Sequence, residues 1–171
     1  MAKKIVFLLI GQKGSGKSFI GNLLEKKFNI KFVRVEDWAK KIKQERAIDN
    51  ESYLHEVFQS IENGIVNEIQ NNNRICFEST GLTKQFDKML SNLKQKFKVI
   101  TIKVNADPNT CLHRVRSRDQ LIHINISDDQ VMNINKKVIE RDLKTDFEIE
   151  NNTISESQLL ADLDKIINSH Q

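Results

Sequence analysis

Proline, cysteine, tryptophan and tyrosine are scarce in this sequence of 171 residues, which contains one proline, two cysteines, one tryptophan and one tyrosine. A single proline locks little of the backbone. Cys76 and Cys111 have neither the number nor the spacing of a disulfide framework or of a metal site. Since unpaired cysteines are typical of a reducing compartment, we expect a cytoplasmic protein.

Long hydrophobic runs are also missing from the beginning of the chain. The apolar run that follows Lys3 and Lys4 spans residues 5–10 and ends at a glycine. It is too short for the hydrophobic region of a signal peptide or for a membrane helix, and no small-residue cleavage site follows it. We therefore expect a buried strand here and no contact with a membrane.

Neither sign of charge is in large excess. The chain has 27 Lys and Arg against 23 Asp and Glu, which gives a net charge of +4 without an acidic or basic tail. This mild positive balance suits anionic ligands such as phosphates. Because basic residues are not interleaved with aromatic ones, a nucleic-acid-binding ATPase is disfavoured.

Short apolar runs alternate with amphipathic segments along the chain, whose length suits one domain over residues 1–171. Strands are predicted at 4–10, 30–35, 74–78, 99–104 and 147–149. Helices are predicted at 17–28, 38–48, 52–70, 83–96, 108–118, 128–143 and 155–167. This alternation predicts an α/β fold with a parallel sheet, in which ligands bind at the carboxyl ends of the strands.

The loop after the first predicted strand reads Gly11-Gln-Lys-Gly-Ser-Gly-Lys-Ser18 and matches G-x-x-x-x-G-K-[ST] at every fixed position. Its glycines let successive N–H groups point at one anion, at the positive end of the next helix. Lys17 is placed to reach the β- and γ-phosphates, and the Ser18 hydroxyl helps to hold Mg²⁺. Lys13 is either a solvated lysine or a phosphate contact. The predicted nucleotide-binding residues are Gly11, Lys13, Gly14, Ser15, Gly16, Lys17 and Ser18.

This loop and the alternating layout resemble the P-loop kinase superfamily, which includes nucleoside monophosphate, shikimate and gluconate kinases. The resemblance implies a three-layer α/β/α P-loop NTPase fold whose five-stranded parallel sheet has the order 2-3-1-4-5. It also implies ATP and Mg²⁺ as cofactors. A helical acceptor-binding region at about 36–72 and a lid at about 114–128 would complete the site. The turn at 151–153 would border the adenine.

Acidic residues follow two of the predicted strands. In shikimate kinase-like proteins a carboxylate after strand two binds the acceptor hydroxyl, and the resemblance assigns this role to Asp37, with Glu36 as the second choice. Asp37 is equally suited to capping the next helix. Glu78 follows strand three and resembles a Walker B acid, which would hold Mg²⁺-bound water or the acceptor. Thr80 and Gly81 would contact the acceptor or the transferring phosphate.

Arginines follow the fourth strand and its helix. In the resembling kinases this is where the lid begins, with arginines that clamp the ATP phosphates. Arg114 and Arg118 share a helix face and are assigned this role, since planar guanidinium groups neutralise the transferring phosphoryl group. A solvated basic turn is the alternative. Arg141 would touch both substrates after the lid, or form a surface ion pair. His123 is expected to pack or to form hydrogen bonds within the lid.

These features favour an ATP-dependent phosphotransferase that moves the γ-phosphate to a hydroxyl or phosphate of a small molecule or nucleotide. The assigned catalytic residues are Lys17, Asp37, Arg114 and Arg118. The chain has neither the Gly-Gly-Gly loop of shikimate kinases after strand three nor a nucleobase signature, so the acceptor stays open. The alternative is a P-loop protein that binds ATP or GTP to regulate a partner or to process nucleic-acid ends. Monomer and homodimer are both compatible with the sequence.

Overall fold

The computed structural model describes residues 3–118 and 121–171 of the chain. Within these ranges it contains five strands and seven helices, which alternate as the sequence predicts. The strands are β1 (Ile5–Gly11), β2 (Lys31–Phe32), β3 (Arg74–Ser79), β4 (Lys98–Asn105) and β5 (Phe147–Glu150). The helices are α1 (Lys17–Phe28), α2 (Val35–Lys43), α3 (Glu51–Asn71), α4 (Lys84–Lys96), α5 (Pro108–Ser117), α6 (Asp128–Arg141) and α7 (Glu156–Asn168).

The five strands form one parallel sheet with the order β2-β3-β1-β4-β5, which confirms the predicted topology. The central strand β1 pairs with β3 and with β4. In this register Leu9 lies opposite Glu78 on β3 and opposite Ile102 on β4. The carboxyl ends of β1 and β3 therefore meet at one edge, where the glycine-rich loop leaves the sheet.

Two hydrophobic cores cover the two faces of the sheet, and together with the sheet they make three layers. Alternate residues of β1 supply both cores: Phe7 and Leu9 face α1 and α7, whereas Val6 and Leu8 face α3 and α4. Every residue of β1 is buried. A strand covered on both sides needs apolar residues at every position, which is why β1 reads as a continuous apolar run.

The second strand was predicted to span 30–35, and this is wrong, because β2 contains only Lys31 and Phe32. β2 is an edge strand that pairs with β3 alone. The Val33 amide still donates to the Cys76 carbonyl (2.8 Å), but the Val35 amide turns back to the Val33 carbonyl (3.0 Å). Val35 then begins α2, so the acidic pair Glu36 and Asp37 lies in the first turn of a helix.

The helix predicted at 38–48 is also displaced: α2 ends at Lys43, where Gln44 takes a φ of 51°. The neighbouring helix α3 agrees with its prediction, and the Asn50 side chain caps it by accepting from the Tyr53 amide. At the predicted lid, α5 continues to Ser117, so residues 114–117 are helical. Asp119 and Gln120, also part of that lid, lie outside the described residues. In the described ranges no helix is both long and apolar enough to cross a membrane.

Candidate active site

A cavity of about 540 Å³ opens at the carboxyl edge of the sheet. Its walls come from the glycine-rich loop, the first turn of α2, the inner face of α3, the end of β3, and residues on α4, α5 and α6. His123 and Ile124 close it from the segment before α6. The predicted phosphate loop and the predicted acceptor region therefore share one cavity.

The glycine-rich loop curls around the amino end of α1. Gly14 and Gly16 have φ angles of 81° and 97°, in the left-handed region that glycine adopts most easily. A side chain at Gly16 would also collide with Asn151, since its Cβ would lie 2.2 Å from the Asn151 Nδ2 atom. The positive φ favours glycine at both positions, and the collision adds a second requirement at Gly16, which is a fixed position of the motif, whereas Gly14 occupies a variable one.

Lys17 lies buried under this loop, 7% exposed. Its ammonium group donates to the carbonyls of Gly11 (2.9 Å) and Gln12 (2.6 Å). The pKa of Lys17 is lowered to about 8, chiefly because the group is buried; Glu78 opposes the shift and nearby Lys13 adds to it. Lys13 and Lys17 repel each other beside the positive amino end of α1. A bound anion would therefore stabilise both of their charges.

Three polar side chains fix the position of the loop: Asn135, Asn151, and Gln12 within the loop itself. The sequence analysis assigned no role to Asn135 or Gln12 and placed Asn151 in the turn that would border the adenine. Asn135 on α6 accepts from the Lys13 amide (2.8 Å) and donates to the Lys13 carbonyl (3.0 Å). Asn151 after β5 donates to the Ser15 carbonyl (2.8 Å). Gln12, a variable position of the motif, accepts from the Ala106 amide (3.3 Å). A buried asparagine within the apolar stripe of α6 was the available sequence signal for Asn135.

Arg114 was predicted to clamp ATP phosphates, but in this structure its guanidinium group contacts backbone carbonyls. It donates to Gly14 and Ser15 of the loop at 3.4 Å each, and to Asn151 (2.8 Å) and Asn152 (3.1 Å) after β5. The side chain therefore ties the phosphate loop to the turn that follows the last strand. Arg118, at the carboxyl end of α5, lines the cavity.

The two residues predicted to hold the metal lie together. The Ser18 hydroxyl donates to Glu78 Oε2 at 2.9 Å, across the ends of β1 and β3. Mg²⁺ prefers oxygen ligands, and it is usually bound by one or two protein groups together with phosphate oxygens. A hydroxyl and a carboxylate at one point of the phosphate loop fit this chemistry.

The acidic pair in the first turn of α2 is divided by the helix. Glu36 lines the cavity, whereas Asp37 is exposed and lies outside the lining. Glu36 Oε2 lies 2.9 Å from His123 Nδ1, and Glu36 Oε1 accepts from the Ile124 amide (3.0 Å). Burial alone would raise the pKa of Glu36, but these two hydrogen bonds outweigh it and the pKa lies below its ordinary value. Glu36 is therefore a carboxylate held ionised in the cavity, and it fastens the predicted lid segment to α2.

The predicted acceptor residues after β3 are also divided. Thr80 lines the cavity, but the Gly81 amide already donates to Ser79 Oγ (3.1 Å). Arg141 donates to the Gly81 carbonyl (2.6 Å) and pairs with Asp87. It lines a separate cavity of about 140 Å³ behind this loop.

Three ring side chains in the helical region, Trp38, Tyr53 and His55, have different surroundings. Tyr53 lines the cavity and donates its hydroxyl to the Ala39 carbonyl (3.3 Å). Trp38 packs over Gly64, where an added Cβ would lie 2.3 Å from the indole ring. His55 is exposed and outside the lining.

Comparison with known proteins decides the family. A family model described as shikimate kinase matches residues 13–169, which is well over half of the chain. The chain belongs to the shikimate kinase family. As a member of this family it is an ATP-dependent kinase with a P-loop nucleotide-binding fold. No curated protein matches the sequence.

Solved kinases share the fold of this family member at low sequence identity. Shikimate kinase from Acinetobacter baumannii, in complex with shikimate, has a TM-score of 0.68 at 14% identity and covers 99% of this chain and 95% of its own. Shikimate kinase from Bacteroides thetaiotaomicron has a TM-score of 0.62 at 17% identity, with 96% of each chain covered. APS kinase from Mycobacterium tuberculosis, in complex with AMPPNP and APS, has a TM-score of 0.66 at 10% identity and covers 96% of this chain and 98% of its own. At these identities the likeness establishes the fold and leaves the acceptor open.

Proposed function

We propose that this kinase transfers the γ-phosphate of Mg·ATP to a hydroxyl group of a small molecule bound against α3. The observation that carries the proposal is the single cavity of about 540 Å³, which contains both the phosphate loop and the predicted acceptor region. Phosphoryl transfer depends mainly on positioning and on charge stabilisation. A shared cavity allows both substrates to be held at the distance that the transfer needs.

The phosphate side of the site would be formed by cations and backbone amides. Lys17 would exchange its contacts with the Gly11 and Gln12 carbonyls for the β- and γ-phosphates, which compensate its buried charge far better. Lys13 and Arg118 line the same cavity and would neutralise the remaining charge. Arg114 would act through the loop, by holding its carbonyls in place.

Ser18 and Glu78 would hold Mg²⁺, directly or through water, since their oxygens already lie 2.9 Å apart. When bound, the cation supplies neutralisation of charge on the β- and γ-phosphates. Glu78 would then give up its hydrogen bond from Ser18. This assignment follows the sequence-based prediction for both residues.

We assign the acceptor carboxylate to Glu36, the second choice of the sequence analysis, because Asp37 is exposed and outside the cavity. An ionised carboxylate can orient the acceptor hydroxyl and receive its proton late in the transfer. Each carboxylate oxygen can accept a second hydrogen bond, so Glu36 would receive the acceptor hydroxyl beside its contacts with His123 and Ile124, which hold the lid segment close to the acceptor.

The proposal is tested by incubating the protein with Mg·ATP and separate pools of alcohols, sugars, hydroxy acids, nucleosides and oligonucleotides. We expect at least one small-molecule pool to raise ADP release above the rate without acceptor, and Lys17→Ala to abolish the increase. If no pool raises ADP release above that of Lys17→Ala, the protein uses its nucleotide as a regulatory ligand and the proposal fails.

A further inference from the structure

The part of the cavity away from the phosphate loop has an apolar wall. Its residues come from one face of α3, from the end of β3 and from α4, and most of them are buried. We call this set the apolar wall: Tyr53, Leu54, Val57, Phe58, Ile61, Phe77 and Met89. The spacing on α3 is i, i+1, i+4, i+5 and i+8, which places one continuous stripe of the helix against the cavity. Five residues of the apolar wall are buried in the core, whereas Leu54 and Phe58 are half-buried, so a ligand in the cavity would contact these two side chains first.

The charged residues of the lining are distributed unevenly around this wall. Among the described residues, its cations lie in the phosphate loop and on or after α5 and α6, and none comes from α2, α3 or α4. Two acids of the lining lie on the acceptor side, Glu36 on α2 and Asp49 between α2 and α3, whereas Glu78 at the end of β3 contacts Ser18 beside the phosphate loop. The cations on α2 and directly after it are not part of the lining: Lys40, Lys41, Lys43 and Arg46.

This distribution decides which acceptors the cavity can hold. A carboxylate or phosphate buried against the apolar wall would lose its hydration, and the helices α3 and α4 that form most of this wall supply no cation to the cavity to compensate for that loss. It would also be repelled by Glu36 and Asp49. An apolar ring or chain gains about 25 cal/mol for each Å² removed from water, and an ammonium group would be attracted to the acids.

We propose that the acceptor is a hydroxyl compound with an apolar body and no negative charge, either neutral or carrying an amine. The proposal rests on the proposed function, because it places the acceptor hydroxyl between Glu36 and the phosphate loop. In the transfer, the acceptor oxygen forms a bond to the γ-phosphorus while the bond to the β–γ bridging oxygen breaks. ADP leaves, and the hydroxyl proton passes to the Glu36 carboxylate and then to solvent.

The test is a binding measurement with three matched ring alcohols that differ in one group: 4-(hydroxymethyl)benzoate, its methyl ester, and 4-(aminomethyl)benzyl alcohol. Titration calorimetry is carried out on the full chain with Mg·AMPPNP present, so that no turnover is required. We expect the ester and the amine to bind at least about tenfold more tightly than the carboxylate. Equal or tighter binding of the carboxylate, or no binding of either the ester or the amine, overturns the proposal.

Two charge-reversed variants locate the effect. Asp49→Lys puts a cation at an exposed position of the lining, where the fold is not at risk, and should weaken the amine severalfold and strengthen the carboxylate. Glu45→Lys makes the same change at an exposed residue outside the lining and should leave all three affinities unchanged. If both variants change the affinities equally, the preference arises from net charge and the proposed site is wrong.

Measurements of binding and of turnover distinguish the proposed acceptor class from the proposed kinase activity on which it rests. A preference for the ester and the amine without acceptor-dependent ADP release would support the apolar cavity and contradict the kinase role assigned to it. Acceptor-dependent ADP release with carboxylates alone would support that kinase role and contradict the substrate class.

Discussion

Lys17 is a fixed residue of the sequence motif, but its charge is buried in the folded protein, which is energetically unfavourable. Its ammonium group is buried and paired only with two backbone carbonyls. Its lowered pKa means that the folded chain holds this proton less tightly than the unfolded chain does. The charge therefore destabilises the free protein at neutral pH, which suggests that it is retained for its ligand.

We predict that Lys17→Met removes activity and spares the fold. Acceptor-dependent turnover should fall by about 10²–10³-fold, as when one preorganised donor is lost. The free energy of unfolding at pH 7 should rise by about 1–3 kcal/mol, because an apolar side chain needs no hydration. Urea unfolding measures the second effect, with exposed Lys26→Met on the same helix as the matched control. A lower free energy of unfolding for Lys17→Met would contradict the prediction that the buried charge destabilises the free protein.

The pKa of about 8 also predicts how nucleotide affinity depends on pH. Bound phosphates favour the charged lysine and raise its pKa, so binding takes up a proton wherever the free protein has lost it. Affinity for Mg·ATP should be level below pH 8 and should fall by up to about tenfold per pH unit above it. Calorimetry across pH 7–10 measures this, and Lys17→Met should show a smaller fall, caused by Lys13, whose pKa burial also lowers. A pH-independent affinity in the original chain would contradict the prediction.

The acidic pair of α2 gives a test with neighbouring residues. Glu36→Gln keeps the shape of the side chain but removes the charge that would orient the acceptor, so turnover should fall by about 10²-fold or more. Asp37→Asn should leave turnover within about twofold, because Asp37 is exposed outside the cavity. Steady-state rates with a saturating acceptor decide between them. The reverse result would restore Asp37 as the acceptor carboxylate.

At the scale of elements, α5 supports the phosphate loop through Arg114. The guanidinium group connects two loop carbonyls with two carbonyls after β5, and so joins segments far apart in the chain. The sequence analysis assigned this arginine to the ATP phosphates and did not indicate its contacts with these carbonyls. Backbone carbonyls occur in every loop, so a pattern of residue types cannot show that they are the acceptors.

We predict that Arg114→Ala lowers the free energy of unfolding by about 1–3 kcal/mol and weakens nucleotide binding, because four carbonyls lose a charged donor. Arg116→Ala is the control on the same helix. It removes only an exposed ion pair with Asp128 and should leave stability nearly unchanged, because solvent screens such pairs. Urea unfolding and calorimetry measure both. Equal effects of the two substitutions would show that Arg114 does not hold the loop.

Elements in the centre of the sheet were predictable and those at its edge were not. β1 is buried on both faces, so its apolar run could only be a strand. Residues 30–35 include four apolar residues together with Lys31 and Arg34, but β2 pairs with one neighbour and ends after Phe32. The difference of three residues moves Glu36 and Asp37 from a strand end to a helix, where only one of them faces the cavity. Tertiary pairing set this boundary, and local sequence does not contain it.

For the molecule as a whole, the phosphate loop was predicted with its partners Ser18 and Glu78, because a fixed spacing at a strand end determines their neighbourhood. The acceptor side could not be predicted in the same way. Its wall is an ordinary apolar stripe of α3, and only the packing of α2, α3 and α4 shows that a cavity remains beside it. The sequence therefore indicates the nucleotide that donates the phosphate more readily than the molecule that accepts it.

The most direct measurement is phosphorus NMR of the full chain incubated with Mg·ATP and the uncharged alcohol that binds best. We predict a new phosphate monoester resonance that grows together with ADP in equal amounts, and that is missing with Lys17→Met. ADP accompanied only by inorganic phosphate, with no monoester for any acceptor, would show that the γ-phosphate goes to water and would contradict the proposed transfer.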